Sequence, residues 1–355
     1  MGFGIFLLKR SANMAIVLFF VVFLTLVLVG PTMDNILKRS IEVSVSEEIA
    51  NNKALLSTFK DPTELEKYKK NLIDVRSKAI GLDEPWYSPK RLGLTMVKIL
   101  SFDLGRSFFL QSATGSNQVS DIILERLPRT VLLFTTATAI ITVIGLYLGA
   151  FSASKAGSSK AGSIVDRLTS GFAVISSSFP VWWTGMLMIF AFAFLYRIFP
   201  ARSTPLIPVT DPAYMWSLLY HMTLPLITLV LIGFGSWAYI VRNFVIGILN
   251  EDFIMVKRAE GIPERKIIYS HALKNAAPPI ITSVALGLSA SIGGAIITEA
   301  VFDWPGTGKL YFDAISVLDV PVIVGLTYIT TMVFLASIFI ADLLYGLFDP
   351  RVKVT

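Results

Sequence analysis

Gly306-Thr307-Gly308-Lys309 comes nearest to a known chemistry, the cradling of a nucleotide phosphate by backbone amides and a lysine. The pattern fails at two places. Leu310 stands where a Ser or Thr hydroxyl would hold magnesium, and Asp303 stands where the first glycine of such a loop belongs. Gly233-Phe234-Gly235, followed by Ala238, imitates a dinucleotide fingerprint. It lies inside an apolar run with no strand before it, so close helix packing is its expected meaning. Cysteine is absent, which excludes thiolate nucleophiles, disulfides and cysteine-ligated metals. The two histidines, His221 and His271, are far apart and give little basis for a metal site or a triad. Glu299, Arg242 and Asp342 lie in or beside apolar runs, where an unpaired charge is costly, and such groups are functional suspects. Arg242 and Asp342 are expected to approach each other. For Glu299 two readings stand side by side: an exposed carboxyl at a membrane edge, or a gate or docking role.

The elements that must position these residues are set by composition. Of 355 residues 54% are hydrophobic and 16% charged, against ~45–50% and ~25% in a soluble domain. Mean hydropathy is +0.67. A disordered chain, a collagen-like chain and a disulfide-stapled module are excluded. Crossing the hydrocarbon core takes ~20 apolar residues in a helix, and six blocks approach this, at about 12–30, 130–153, 168–199, 222–248, 276–300 and 320–348. They do not alternate in polarity as barrel strands would, so helices are the reading. The expected fold class is all-α: a polytopic membrane protein of six transmembrane helices, with a large extracytoplasmic domain between helices 1 and 2. The divisions are a tail and first span (1–30), the extracytoplasmic domain (31–127), and a core of five further spans (128–355) with a loop at about 249–275. Lys9-Arg10 opens the first block, but the run is longer than the ~7–15 residues of a signal-peptide core and ends without an A-x-A site, so it reads as a retained span.

Orientation follows from the short loops. With the N-terminus in the cytoplasm, that side collects thirteen basic residues, among them Lys155, Lys160, Arg242, Arg265 and Lys266, while the short external loops hold Arg197, Arg202 and Lys309. The net charge of +6 is then mostly an orientation signal. No aromatic-interleaved basic patch points to nucleic acid.

In the external segment, Asp61-Pro62 reads as a helix start, and Gly81-Leu82-Asp83-Glu84-Pro85 and Ser88-Pro89 as turns. Gln111–Gln118 reads as a polar loop, a solvated cap or a surface that docks a partner. In the second span, Gly145 and Gly149 are four apart with Ala153 a turn later, which marks a packing face. Pro180 should kink the third span. Ser176, Ser177 and Ser178 just before it would re-satisfy freed carbonyls or line a polar path.

The most informative stretch is the loop from Asn250 to Lys266. Asn250 is placed to cap a short helix, with Glu251 and Asp252 in its first turn, Lys257 and Arg258 in its last, and Gly261 as a left-handed stop. Pro263 then opens a second helix, with Glu264 behind it. Phe253, Ile254 and Met255 with the two cations form a compact apolar and charged knob. Such a knob suits a lipid surface or a groove on a partner.

With its flanks, this loop resembles the EAA loop of binding-protein-dependent ABC importer permeases. Residues 120–355 are similar to the oligopeptide/dipeptide/nickel-type permease family, B-type subunit. The resemblance rests on Leu127-Pro128-Arg129-Thr130-Val131, Phe179-Pro180-Val181-Trp182-Trp183, His271-Ala272-Leu273-Lys274-Asn275-Ala276-Ala277-Pro278-Pro279, Thr298-Glu299-Ala300-Val301-Phe302-Asp303-Trp304-Pro305-Gly306 and Asp349-Pro350-Arg351. Two departures stand out. Met255-Val256-Lys257 replaces the usual start of the EAA pattern, leaving Glu260 or Glu251 as the acidic contact; and Gly30-Pro31-Thr32-Met33-Asp34 stands where the family often has Pro-Gly-Asp-Pro, with residues 35–75 after it looking like extra helix.

The resemblance implies one of two homologous membrane subunits, a solute-binding protein outside, and two cytoplasmic ATPases. ATP and magnesium would sit on those ATPases, with no cofactor, metal or catalytic residue on this chain. Residues from Glu251 to Gly261 would form the coupling helix, with Glu251, Asp252, Phe253, Met255, Lys257, Arg258, Glu260 and Gly261 at the contact. Position suggests Ser176, Ser177, Ser178, Ser289, Ser291, Thr298 and Glu299 for the solute path. Short peptides are the expected cargo, with oligosaccharides second. An ion-gradient-driven transporter is the rival class, but its acids should lie near the midplane.

Overall fold

In a computed structural model, residues 3–52, 59, 61–156 and 160–348 are described. They are helical almost throughout. The sole extended pairing among them is a bridge between Arg106 and Gln118. Four helices are long and apolar enough to cross a membrane, and two bent pairs bring the number to as many as six. The protein is thus an all-helical polytopic membrane protein.

Helix α1 (Phe3–Asn51) does not end where the first apolar run ends. It continues through Pro31 into a charged second half. That half keeps a stripe of Ile41, Val45 and Ile49, four residues apart, which buries against Leu65, Tyr68 and Leu72 of α2 (Pro62–Ala79). The extra helix expected at 35–75 is therefore this extension and α2. Asp61 caps α2 by accepting from the Thr63 amide at 2.9 Å, with Pro62 at its first position. Ser88 caps α3 (Pro89–Leu100) in the same way, accepting from the Arg91 amide at 3.2 Å. Arg91 then reaches Asp34 of α1 at 2.5 Å, a half-buried pair that ties α3 to α1.

The centre is the pair α4 (Val119–Lys155) and α7 (Tyr214–Leu249). Gly145 and Gly149 do mark its packing face. A Cβ on Gly149 would lie 2.5 Å from the Ala238 carbonyl oxygen, so the two backbones touch. On α7, Gly233 faces Ile141 of α4, while Gly235 faces Phe172 and Ser176 of α5 (Lys160–Ser178). The Gly-Phe-Gly sequence thus packs closely, as expected, and does so on two sides.

The third apolar block is broken rather than kinked. The segment of α5 from Asp166 to Ser178 meets α6 (Val181–Ile189) and its π-helical continuation Phe190–Leu195 at 91°. Phe179 and Pro180 form the corner. After α7 come α8 (Asp252–Ala259), α9 (Glu264–Lys266), a π-turn (Ile267–Ala272) and α10 (Leu273–Asn275). The fifth block is also broken, at 60°, between α11 (Ala277–Ser291) and α12 (Ile296–Phe302). Helix α13 (Thr307–Ser316) leads to α14 (Val320–Phe348), whose bounds match the sixth block. Helices α1 and α14 run antiparallel: Arg10 pairs with Asp342 at 2.6 Å at one end, and Leu26 shares a core cluster with Val324 at the other.

Candidate functional site

At the end of the bundle where α7 stops, the chain turns out into α8. The cap is not Asn250, which closes α7 instead. Glu251 takes the cap position in extended conformation and makes no side-chain cap bond. A one-residue shift moves the cap because α7 uses Asn250 to end its own hydrogen-bond ladder. Asp252 lies in the first turn and Lys257 and Arg258 in the last, which matches the helix dipole. Gly261 has φ +75°, a left-handed conformation that side chains resist, and Pro263 then starts α9. Lys257 reaches Glu260 at 2.9 Å, and Arg258 reaches Glu264 across the Gly261 turn at 2.8 Å.

One residue anchors this element. Ile254 is wholly buried, and α8 packs on the π-turn Ile267–Ala272, which contributes buried Ile267 and Ala272. The side chains around it are uncovered: Phe253, Met255 and Val256 are 40%, 70% and 56% exposed. Three apolar side chains left open between charged neighbours make a surface that another body can cover.

Close by, Arg242 does not meet Asp342. It pairs with Asp166 of α5 through two bonds, one of them at 2.7 Å, and Ser152 of α4 donates to the same carboxylate at 2.8 Å. Asp342 is held by Arg10. Each charge is partnered, as cost requires, but by a nearer group than the one expected. Asp166 was missed because it sits beside Arg167 at the edge of a basic loop, where acids are ordinarily solvated.

At the other end, Glu299 is not an exposed carboxyl. It is 1% exposed and sits over the first turn of α13. Its oxygens accept from the Gly308 amide at 2.9 Å, the Lys309 amide at 3.3 Å and the Thr130 hydroxyl at 3.2 Å. The Thr130 oxygen in turn accepts from the Thr307 amide at 2.7 Å. The Gly-Thr-Gly-Lys sequence does cradle a carboxyl group with helix-start amides, but that group belongs to the chain itself. Asp319, fully buried before α14, does the same for the segment ahead of α4. It accepts from the Ser107 hydroxyl at 2.5 Å and from the Phe109 and Leu110 amides at 2.9 and 3.2 Å. Thr130 was within reach of the sequence, inside the Leu-Pro-Arg-Thr-Val stretch. Asp319 carried only the weak signal of an acid two residues before Pro321.

The residues expected along a path divide between two contacts. Ser176 is buried beside Gly235, and Ser177 and Ser178 are exposed at the corner of the broken third block. Ser289 and Ser291 are buried on α11, and Ser291 meets Thr135 of α4 at 3.2 Å. Thr298 is buried on α12. The five serine hydroxyls each donate to a carbonyl three or four residues back in their own helix.

The fold and these two ends define a membrane-embedded helical component with a projecting, uncovered helix. Residues 115–354 match the family described as the binding-protein-dependent transport system inner membrane component. The oligopeptide transport system permease protein AppB of Bacillus subtilis is 29% identical over 275 residues, covering 77% of this chain and 82% of that protein. The dipeptide transport system permease protein DppB of Alkalihalophilus pseudofirmus is 32% identical over 291 residues, covering 77% and 84%. The chain belongs to the family of binding-protein-dependent transport system inner membrane components.

Proposed function

We propose that this chain is the membrane-spanning permease subunit of an ATP-driven importer for short peptides. Its relatives named for oligopeptide and dipeptide transport support the cargo. A second permease subunit completes the translocation unit, a solute-binding protein delivers the peptide, and two ATPases bind ATP and magnesium. The chain itself carries no catalytic residue in this reading. Each bent helix pair counts as one span, giving six. Residues 31–127 then lie outside, and both termini and α8 lie in the cytoplasm. The bias of basic residues toward that side supports this orientation.

The observation that carries the mechanism is α8: a helix anchored by buried Ile254, with Phe253, Met255 and Val256 open to a partner. Docked in a cleft of an ATPase, it would move when the ATPase pair closes. Glu251, Asp252, Lys257, Arg258 and Glu260 would set its register. Glu260 supplies the acidic contact in place of the pattern's usual start, though it is also held by Lys257. Ser176, Ser177, Ser178, Ser289, Ser291 and Thr298 are the proposed lining, with weakly polar oxygens suited to a neutral or zwitterionic peptide. Glu299 is proposed as the latch that holds one end of that path, because its oxygens are already engaged by α13 and Thr130.

Gly261→Pro tests the assignment. Proline fixes φ near −65°, which the turn's +75° cannot accept. Peptide uptake should fall to background and peptide-stimulated ATP hydrolysis should be lost, while insertion and subunit assembly persist. Unchanged uptake and unchanged ATPase stimulation would overturn the role of α8.

A further inference from the structure

Helices α1 and α14 each carry one long uncharged run, from Arg10 to Asp34 on α1 and from Asp319 to Asp342 at α14. At ~1.5 Å per residue each run is roughly 35 Å long, enough for the ~30 Å hydrocarbon core. The Arg10–Asp342 pair aligns the two antiparallel runs at one end, so Asp34 and Asp319 mark a common level at the other. The Trp86 indole packs on Gly30 just inside that level, the usual depth of an interfacial tryptophan.

The chain between these two acids does not stay beyond the level they mark. Arg91, at the start of α3, is held by Asp34 at 2.5 Å. From there α3 runs inward. Its Met96 and Ile99 bury in one cluster with Leu26 of α1 and Val324 of α14. Its last carbonyl, that of Leu100, accepts from the Tyr328 hydroxyl at 3.3 Å, and the Phe102 ring meets the Tyr328 ring edge-on at 5.5 Å. At ~1.5 Å per residue, Leu26 lies roughly 12 Å inside Asp34 and Tyr328 roughly 13 Å inside Asp319. Helical side chains lean toward the start of their helix, and the Tyr328 ring still ends short of the boundary. After Phe102 the chain climbs back, because Asp319 accepts from the Ser107 hydroxyl and the Phe109 and Leu110 amides. One acid at the boundary thus holds each limb of the excursion.

Its two flanks differ. Lys98, Asp103 and Arg106 line an open groove with Asp83 and Glu84. Val97, Leu100 and Phe102 line no part of that groove and are 65%, 37% and 55% exposed. Phe102 has φ +64° at the position after a helix end that glycine ordinarily fills. An aromatic ring held in that conformation and left open points to a contact from outside the chain. We infer that α3 and the turn after it form a re-entrant loop in the membrane, with Val97, Leu100 and Phe102 among the acyl chains of one leaflet. Irregular backbone is tolerated at such depth where it lines a water-filled cavity, and the groove supplies one beside Asp103 and Arg106. The inference rests on α1 and α14 crossing the membrane, and not on cargo or on α8. It narrows the extracytoplasmic segment proposed above, since residues 91–110 dip back into the bilayer.

The chain has no cysteine, so Val97→Cys, Leu100→Cys and Phe102→Cys can each carry a single nitroxide label, in the full chain assembled with its partner subunits in liposomes. Phe19→Cys, 45% exposed within the α1 run, gives the lipid reference, and Lys70→Cys, exposed on α2, gives the water reference. At the three sites the ratio of collisions with oxygen to collisions with a water-soluble nickel chelate should shift to the Phe19 value, with mobile spectra. Val97→Cys and Leu100→Cys leave the Phe102–Tyr328 contact in place, so they read depth even where Phe102→Cys loosens the turn. A ratio at Val97 and Leu100 equal to that at Lys70 would overturn the immersion of the loop. Immobile labels shielded from both agents would overturn it too, by showing a protein partner in place of lipid. A Phe19 site that itself reads as water would refute the α1 span instead, so the two failures are told apart.

Discussion

Replacing Glu299 with alanine should destabilise the fold without touching any surface. The side chain accepts from the Gly308 and Lys309 amides and from Thr130. Removing it strands two amides that no helical carbonyl can satisfy, since both open α13. An unsatisfied buried donor costs about 1–3 kcal/mol. The Thr130 hydroxyl can rotate, and a water can enter a polar void of this size. The net expectation is about 3 kcal/mol. Glutamine separates hydrogen bonding from mere volume. Its carbonyl oxygen can take both amides, and its NH2 can donate to the Thr130 oxygen if that hydroxyl turns its proton away. Glu299→Gln should therefore cost about 1 kcal/mol. A Cβ on Gly308 would lie 2.9 Å from the Glu299 carboxyl carbon and 2.9 Å from the Ala295 carbonyl carbon, so Gly308→Ala should also destabilise. Because the two residues share one contact, Glu299→Ala/Gly308→Ala should cost less than the sum. Unfolding in mixed micelles titrated with dodecyl sulfate, followed by circular dichroism, measures all four. Alanine and glutamine variants equally stable, or an additive double variant, would refute the cradle.

Gly149→Leu should prevent α4 and α7 from closing, because the side chain would meet the Ala238 carbonyl oxygen and Val241. The cost should exceed the ~1–3 kcal/mol of ordinary overpacking. Gly247→Leu, where nothing lies within 4 Å, is the matched control and should leave resistance to dodecyl sulfate unchanged. Asp166→Leu should cost about 3 kcal/mol by leaving Arg242 and Ser152 without their acceptor. Asp166→Leu/Arg242→Leu should recover most of it, which the same titration can resolve.

What was legible in the sequence depended on how local its cause was. Helix α14 carries an uninterrupted apolar run, and its bounds could be read directly. The cap at Asp61 and the stop at Gly261 each involve neighbours within three residues, and each stands where the pattern puts it, whereas Ser88-Pro89, which reads as a turn, caps a helix. The end of α1 was misread because hydropathy reports lipid contact, not helix continuity. The stripe Ile41, Val45, Ile49 that prolongs it was present but lay in a charged stretch. The break after α11 falls at Ile292–Ala295, where hydropathy stays high, and Gly293-Gly294 was its sole local cue. The Glu299 cradle joins residues 169 positions apart, and the Asp319 cradle 212. Composition cannot signal pairings at such separations. The Arg242 partner was misassigned for a related reason: cost requires some acid nearby but does not choose between Asp166 and Asp342.

The two ends of the bundle are built on opposite principles, and the proposed coupling would use that difference. At the Glu299 and Asp319 end, carboxyls are clasped by backbone amides, whose positions are fixed by helix geometry. Movement there must carry α12, α13 and the start of α14 together or break several bonds at once. At the α8 end, contacts run between side chains: Arg242 to Asp166, Arg258 to Glu264, Lys257 to Glu260. Such pairs can re-form after a shift of a few ångströms. Helix α8 touches the bundle mainly at Ile254 and the π-turn, and that turn packs on both α7 and α4. In the proposed mechanism a push on α8 would be delivered to the central helix pair, whose backbones touch at Gly149. What would remain is rotation of the pair as a body. The broken third and fifth blocks supply the corners about which their halves can turn.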